Sequence, residues 1–201
     1  MSFTLRDGES TALIGPSGSG KTTILRLLAR VYKPDEGSLE HKGRVGSLLS
    51  VDAGLLGLLT GRENAMLLSA LVGLSRSEAR KALDAIKERS QLEDAFEHPV
   101  SAYSQGMRAR LGLAVAEEAD PDVLVLDEVH EALDHEFRAI LERHALAMVE
   151  RGGIVVAAGH DHPMLQRFCS RAIWLESGHV QDEGPFSAVQ AAYLETVGNA
   201  P

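Results

Sequence analysis

The chain has 201 residues, 44% of them hydrophobic and 24% charged, and a formal net charge of −9 at pH 7. That length can bury one substantial core. The acidic balance excludes general affinity for nucleic acid or anionic lipid, because either would be repelled. The single cysteine, Cys169, excludes an internal disulfide and reads as a small buried apolar side chain in a reducing compartment.

No run of about 18 apolar residues is present, so no direct membrane insertion is expected. The start, "MSFTLRDGESTALIG", lacks the basic residues and long apolar stretch of a signal peptide. A cytoplasmic chain is expected, one that reaches a membrane only through a protein partner.

In chain order, "SFTLRDGESTALIG" (2–15) predicts two short strands joined by the turn Asp7-Gly8. A helix is predicted from Lys21, with apolar positions at Ile24, Leu25, Leu27 and Leu28. Turn-rich text then returns as short strands up to Leu49, and "SVDAGLLGLLTG" (50–61) reads as an ordered glycine-bearing loop. From Arg62 to about His98 the pattern is helical, with a capping box of Ser75 and Glu78, and a further helix follows Gly106. "VLVL" (123–126) and "IVVAA" (154–158) are continuous apolar runs of the kind found in strands buried on both faces. "AIWLESGHVQDEG" (172–184) predicts two strands around Ser177-Gly178, and a last helix spans roughly 186–197.

This alternation predicts an α/β fold, a mostly parallel sheet flanked by helices, with a small antiparallel N-terminal β part. One domain is expected, with residues 1–61 and 119–201 forming the core and 62–118 an inserted helical subdomain.

"GPSGSGKTT" comprises Gly15, Pro16, Ser17, Gly18, Ser19, Gly20, Lys21, Thr22 and Thr23, and it fits G-x-x-x-x-G-K-[ST]. Glycines let successive backbone N–H groups curl around an anion where a Cβ would clash. The helix that follows turns its positive end to the same anion. Lys21 adds a mobile charge for β- and γ-phosphates, and the Thr22 hydroxyl is placed to ligate Mg²⁺. The loop lies between a predicted strand and a predicted helix, the context the motif requires, so a nucleoside triphosphate with Mg²⁺ is the expected ligand.

"VLVLDEV" puts Asp127 and Glu128 at the C-terminal end of a buried strand, the edge where ligands bind in a parallel sheet. Asp127 suits a Mg²⁺ ligand, direct or through water, and Glu128 a general base for the attacking water.

With the loop 15–23, "YSQGM" (103–107), "VLVLDE", "EALD" (131–134) and "AAGHD" (157–161) in this order, the sequence resembles ATP-binding subunits of ABC transporters nearly end to end. The resemblance implies a P-loop ABC cassette that hydrolyses ATP as a head-to-tail homodimer with two nucleotides sandwiched between subunits. In that arrangement Ser104, Gln105 and Gly106, standing where the family writes LSGGQ, complete the phosphate site of the other subunit. Asp134 matches the loop that communicates between sites, and His160 the histidine that contacts the γ-phosphate. A separate transmembrane permease is implied as partner, with the chain peripheral on the inner face of the membrane.

"LTGREN" (59–64), "YSQGMRARLGLAVA" (103–116) and "FCSRAIWLESGHV" (168–180) resemble more narrowly the ATPases that export capsular polysaccharide, O-antigen or teichoic acid. The chain ends at Pro201, soon after its last helix pattern, so the carbohydrate-binding domain appended to some O-antigen exporters is not expected and capsule-type export is favoured.

Departures from the family pattern set further expectations. "SFTLRDGE" matches the family's second strand, so the first strand and its adenine-stacking aromatic are expected to be missing. The loop 50–57 has no Gln or Glu where a Mg²⁺/water ligand is usual; Ser50 or Leu56 stands nearest, with Asp52 between. Slow hydrolysis is therefore expected. A degenerate cassette with little turnover and a soluble non-transport ABC ATPase are the alternatives. Plainer expectations cover Trp174 as core, Arg108 and Arg110 as a solvated helix face, and Glu63 with Asn64 as caps of the helix after Gly61. His130, His135 and His144 share no metal-ligand spacing, so no metal beyond Mg²⁺ is expected.

Overall fold

A computed structural model describes residues 1–40, 43–49, 54–128 and 133–198. Ser50 and Asp52 of the glycine-bearing loop, and His130, lie outside the described residues. Six strands form one sheet in the order β2-β3-β4-β1-β5-β6. They are β1 (Ser10–Ile14), β2 (Val45–Leu48), β3 (Val123–Asp127), β4 (Ile154–Ala158), β5 (Arg171–Glu176) and β6 (His179–Pro185). The first five strands pair in parallel, and β5 with β6 is antiparallel.

The helices are α1 (Lys21–Leu28), α2 (Gly61–Leu71), α3 (Arg76–Ser90), α4 (Gln105–Ala119), α5 (His135–Glu150), α6 (His162–Phe168) and α7 (Phe186–Gly198). None among the described residues is long and apolar enough to cross a membrane.

Strand residues alternate between two faces, so each apolar run feeds two cores. On one face Ala12, Ile14, Leu124, Leu126, Val155 and Ala157 pack with α5, α6 and α7 through Phe137, Leu141, Leu165 and Val189. On the other face Leu13, Val123, Val125, Val156 and Ala158 meet Ile24, Leu25 and Leu28 of α1. That two-sided burial is why β1, β3 and β4 read as continuous apolar text. Burying a leucine such as Leu13 or Leu124 contributes about 2 kcal/mol.

A third core joins α2, α3 and α4 through Ala65, Leu83, Ile86, Phe96, Val100, Tyr103, Leu111 and Val115. Helix α4 serves two cores: Leu111, Ala114 and Val115 face its helical neighbours, whereas Ala109, Leu113 and Ala116 pack against the sheet side.

The antiparallel part of the sheet lies toward the C-terminus, in β5 and β6 around the Ser177-Gly178 turn. Asp7-Gly8 does form a turn, with Gly8 N–H donating to Gly152 O at 3.0 Å, but residues 1–6 form no ladder strand. Phe3 and Leu5 instead lay their side chains on the α1-side core. Trp174 is half-buried and meets Tyr193 of α7 edge-on with ring centroids 5.7 Å apart. Cys169 is buried, and that burial pushes its thiol pKa up, which leaves it inert.

Candidate nucleotide site

Three neighbouring strands, β3, β4 and β1, end at the same edge of the sheet. The loop 15–20 leaves β1 there and turns into α1. Gly15 has φ +144°, and a Cβ on it would lie 2.1 Å from Leu175 O, so only glycine lets the loop pass β5. Ser19 is buried beneath the loop, and its carbonyl accepts from Gly178 N–H at 3.0 Å. The β5–β6 turn thus braces the loop from behind.

Helices α2 to α6 each begin with a side-chain cap, from Thr60, Ser75, Ser104, Asp134 and Asp161. Helix α1 has Gly20 at its N-cap and no side-chain cap. Its first amides are therefore left to an anion, and they carry the positive end of the helix dipole.

Lys21 is buried, and its Nζ donates to Gly15 O at 2.7 Å and Pro16 O at 3.0 Å. Burial lowers its pKa, while Glu128 and Asp127 oppose that shift. Asp127 is 6% exposed; burial raises its carboxyl pKa, and a hydrogen bond from the Thr22 hydroxyl acts the other way. A divalent cation between Thr22 and Asp127 would relieve this desolvated carboxylate, and hard oxygen donors suit Mg²⁺. The buried cation, the uncapped helix and the Thr22–Asp127 pair together fit a Mg²⁺-polyphosphate.

Glu128 sits in the left-handed region at φ +56°, held there by its N–H donating to Ala158 O at 2.9 Å. Non-glycine strain of this kind turns the side chain out of the strand line toward the edge. His160, two residues past β4, places Nε2 3.2 Å from Glu128 Oε1. The structure thus brings Lys21, Thr22, Asp127, Glu128 and His160 together. Both Glu128 and His160 are about half exposed, open to water and to a second molecule.

Ser104, Gln105 and Gly106 stand apart from this cluster at the start of α4, and share no hydrogen bond or ion pair with Lys21, Asp127 or Glu128. Ser104 and Gln105 are exposed, and Ser104 Oγ accepts from Met107 N–H at 3.2 Å. Asp134 caps α5, accepting from Phe137 N–H at 3.0 Å, and is exposed as well. The start of α4 and the Asp134 cap of α5 thus both face outward.

Arg110 is not a solvated residue. Its guanidinium pairs with the Asp134 carboxylate and lies over the Phe137 ring, 4.3 Å from the centroid. Sequence reasoning missed this because Arg110 lies on α4 and both its partners at the start of α5. Asn64 exceeds the capping role expected of it. It is fully buried, accepts from Leu56 N–H at 2.8 Å, and donates to the carbonyls of Leu56, Leu59 and Thr60 at 2.9–3.1 Å. The expected cap is formed by Thr60 with Glu63. Leu56, one of the residues standing where a Mg²⁺/water ligand is usual, offers only its backbone to Asn64, with its side chain about half exposed.

A strand, a glycine loop on an uncapped helix, a buried lysine and the acidic end of the strand next but one define a P-loop nucleoside triphosphatase. The model of the ABC transporter family matches residues 1–131, and the chain belongs to that family. It is 36% identical to an O-antigen export system ATP-binding protein, RfbB, of Klebsiella pneumoniae, over 98% of this chain and 80% of that one. It is 34% identical to the teichoic acids export ATP-binding protein TagH of Listeria innocua, over 98% of this chain and 58% of that one. Among solved structures it resembles a dimeric, post-hydrolysis form of the ATP-binding cassette MJ0796 bound to ADP and Pi. That match has 27% identity and a TM-score of 0.75, and covers 92% of this chain and 88% of that one. ATP binding and hydrolysis are what this family's cassettes do. The similarity to polysaccharide-export ATPases agrees with the wording of 59–64 and 103–116.

Proposed function

We propose that the chain is the ATP-hydrolysing subunit of an exporter of cell-surface polysaccharide. It would work as a head-to-tail homodimer on the inner face of the membrane, coupled to a separate permease. The observation that carries this reading is the split site. One chain presents Lys21, Thr22, Asp127, Glu128 and His160 at the sheet edge, and Ser104-Gln105-Gly106 as a separate, outward-facing helix N-terminus.

Backbone amides of 15–20, Lys21 and the start of α1 bind the β- and γ-phosphates. Thr22 and Asp127 would hold Mg²⁺, which would neutralise charge on the phosphates. Glu128 Oε accepts the proton of the attacking water, and His160 Nε2 holds the Glu128 carboxylate and reaches toward the γ-phosphate. Ser104 and the Gly106 amide of the second subunit supply donors from the opposite side, so the γ-phosphate itself draws the dimer closed. The MJ0796 cassette, a dimer with ADP and Pi, supports this arrangement.

An apolar groove of about 330 Å³ lies between the sheet side and the helical part, lined by Val31, Leu55, Leu68, Leu71, Val72 and Val115. On the loop that Asn64 pins, Leu58 is 93% exposed. These features support docking of a permease segment there, where closure of the dimer would move it. The named cargoes of the relatives are O-antigen and teichoic acids; the chain's own wording favours a capsule-type polymer. Turnover is slow in this reading, because no Gln or Glu stands in 50–57.

The test is affinity capture of the tagged chain from its own membranes in mild detergent, followed by mass spectrometry. A polytopic permease at equimolar ratio, with loss of surface polysaccharide on deletion, supports the reading. Recovery of soluble partners alone overturns it.

A further inference from the structure

Arg110 lies six residues beyond Ser104 on α4, about 9 Å along the helix axis. Its neighbours in sequence, Ala109 and Leu111, are buried in different cores, so Arg110 stands where the helical part meets the sheet part. The guanidinium is held twice, by the Asp134 carboxylate and by the face of Phe137, itself 1% exposed. Asp134 is held twice as well, since its other oxygen accepts from Phe137 N–H. The Phe137 amide comes first among the causes that lower the Asp134 carboxyl pKa, and Arg110 adds to it. A planar, delocalised cation is suited to this double engagement, and an ammonium is not.

The contacts continue past Asp134. One turn along α5, Arg138 donates to Leu133 O at 2.9 Å and approaches the Asp161 carboxylate at 3.8 Å. Asp161 caps α6 directly after His160, which meets Glu128.

We propose that Arg110 is a positioning residue that locks the Ser104–Gly106 helix start to the Asp134 segment, so that both present themselves to a partner's nucleotide as one rigid unit. Arg110 touches no nucleotide in this role; it acts through Ser104, Gly106 and Asp134. The inference rests on the head-to-tail reading above.

The test uses the full chain in an E128Q background, which blocks turnover. Affinity for ADP reports the chain's own phosphate loop, residues 15–23, and light scattering with rising MgATP reports the dimer. R110A should leave ADP affinity unchanged and raise the ATP concentration for half-dimerisation about tenfold, the usual size of such couplings. R110K should recover part of the loss, keeping the charge but not the stack on Phe137. D134N should resemble R110A, and the double variant should be no worse than either single one. In turnover without E128Q, R110A should raise KM for ATP more than it lowers kcat.

A general structural lesion would weaken ADP affinity together with dimerisation, and if R110A melts early, R110K carries the comparison. Dimerisation of R110A equal to that of the E128Q parent overturns the Arg110 role alone, as do additive R110A and D134N losses. If the E128Q parent stays monomeric with MgATP, the head-to-tail reading falls and the role of Arg110 falls with it.

Discussion

The phenol of Tyr103 fills the space a side chain on Gly61 would need: a Cβ there would lie 2.2 Å from the Tyr103 hydroxyl oxygen and 2.9 Å from Phe96 O. The same hydroxyl donates to Ala95 O at 2.6 Å. "LTGREN" and "YSQGM", more than forty positions apart, are thus one packing unit at the base of the helical part. G61A should destabilise the chain by about 1–3 kcal/mol through overpacking. Y103F, which strands a buried carbonyl, should cost about 1 kcal/mol. G61A/Y103L opens space for the new methyl, so its loss should be smaller than the sum of G61A and Y103L. Denaturant melts of the four proteins check this, and full additivity would refute the pairing.

Asn64 is the pin of the loop 56–60. N64A leaves Leu56 N–H and up to three carbonyls without their buried partner, a loss of about 2–3 kcal/mol. The loop 15–23 is untouched by the change, so ADP affinity should persist while protease sensitivity rises between 54 and 60. Limited proteolysis with nucleotide titration separates the two effects.

In the proposed mechanism Lys21 and Asp127 divide the work of holding the nucleotide. K21A removes the buried cation and should abolish measurable ATPase, since the amides alone do not balance the phosphate charge. D127N should retain nucleotide binding but lose most of its Mg²⁺ dependence. Calorimetric titration of ADP with and without Mg²⁺ tells them apart; equal Mg²⁺ enhancement in D127N and the parent would exclude Asp127 as a metal ligand.

Between α3, α4 and α5, His144 Nδ1 lies 3.7 Å from Glu117 Oε1, with Arg89 3.9 Å from the same carboxylate and Arg151 and Asp120 nearby. Burial lowers the His144 pKa from its ordinary 6.5, with Arg151 and Arg89 adding to it against Asp120. Burial raises that of Glu117 above 4.5, opposed by Arg89 and Arg143. The unfolded chain therefore takes up the histidine proton first, and stability falls as pH drops below 6.5 toward the lowered folded value. Glu117 acts oppositely, adding stability as pH falls through its raised value. H144Q should flatten the dependence of Tm on pH below 6.5. An unchanged slope in H144Q would assign that dependence to other groups.

How legible these features were depended on the range of the interaction. The strands β1, β3 and β4 stood out as apolar runs because both faces are covered, and the glycine loop 15–23 and the capping boxes are local patterns. The clustering of Asp127, Glu128 and His160 followed from the rule that parallel strands carry sites at their C-terminal ends. Residues 2–6 read as a strand from alternation alone, but their apolar side chains are used in packing without a ladder. Arg110 and Asn64 look like surface and cap residues in a linear text. Their roles come from Asp134 and Phe137 in one case and from the fold-back of 56–60 in the other, neither of which any periodicity encodes.

The order β3-β4-β1 has a kinetic corollary. Register pairs Asp127 with Ala158 and Leu13 with Ala158, so residues from opposite ends of the chain become neighbours only when both parallel ladders close. Such distant pairings form slowly, and no fragment containing residues 15–23 alone reproduces the pocket. Nucleotide capacity should therefore return with the final, global phase of refolding and never with an early helical intermediate. Ligand at a hundredfold its Kd would hold the completed sheet by about 2.7 kcal/mol more than any partly threaded form, so nucleotide present during refolding should raise the yield of native chain.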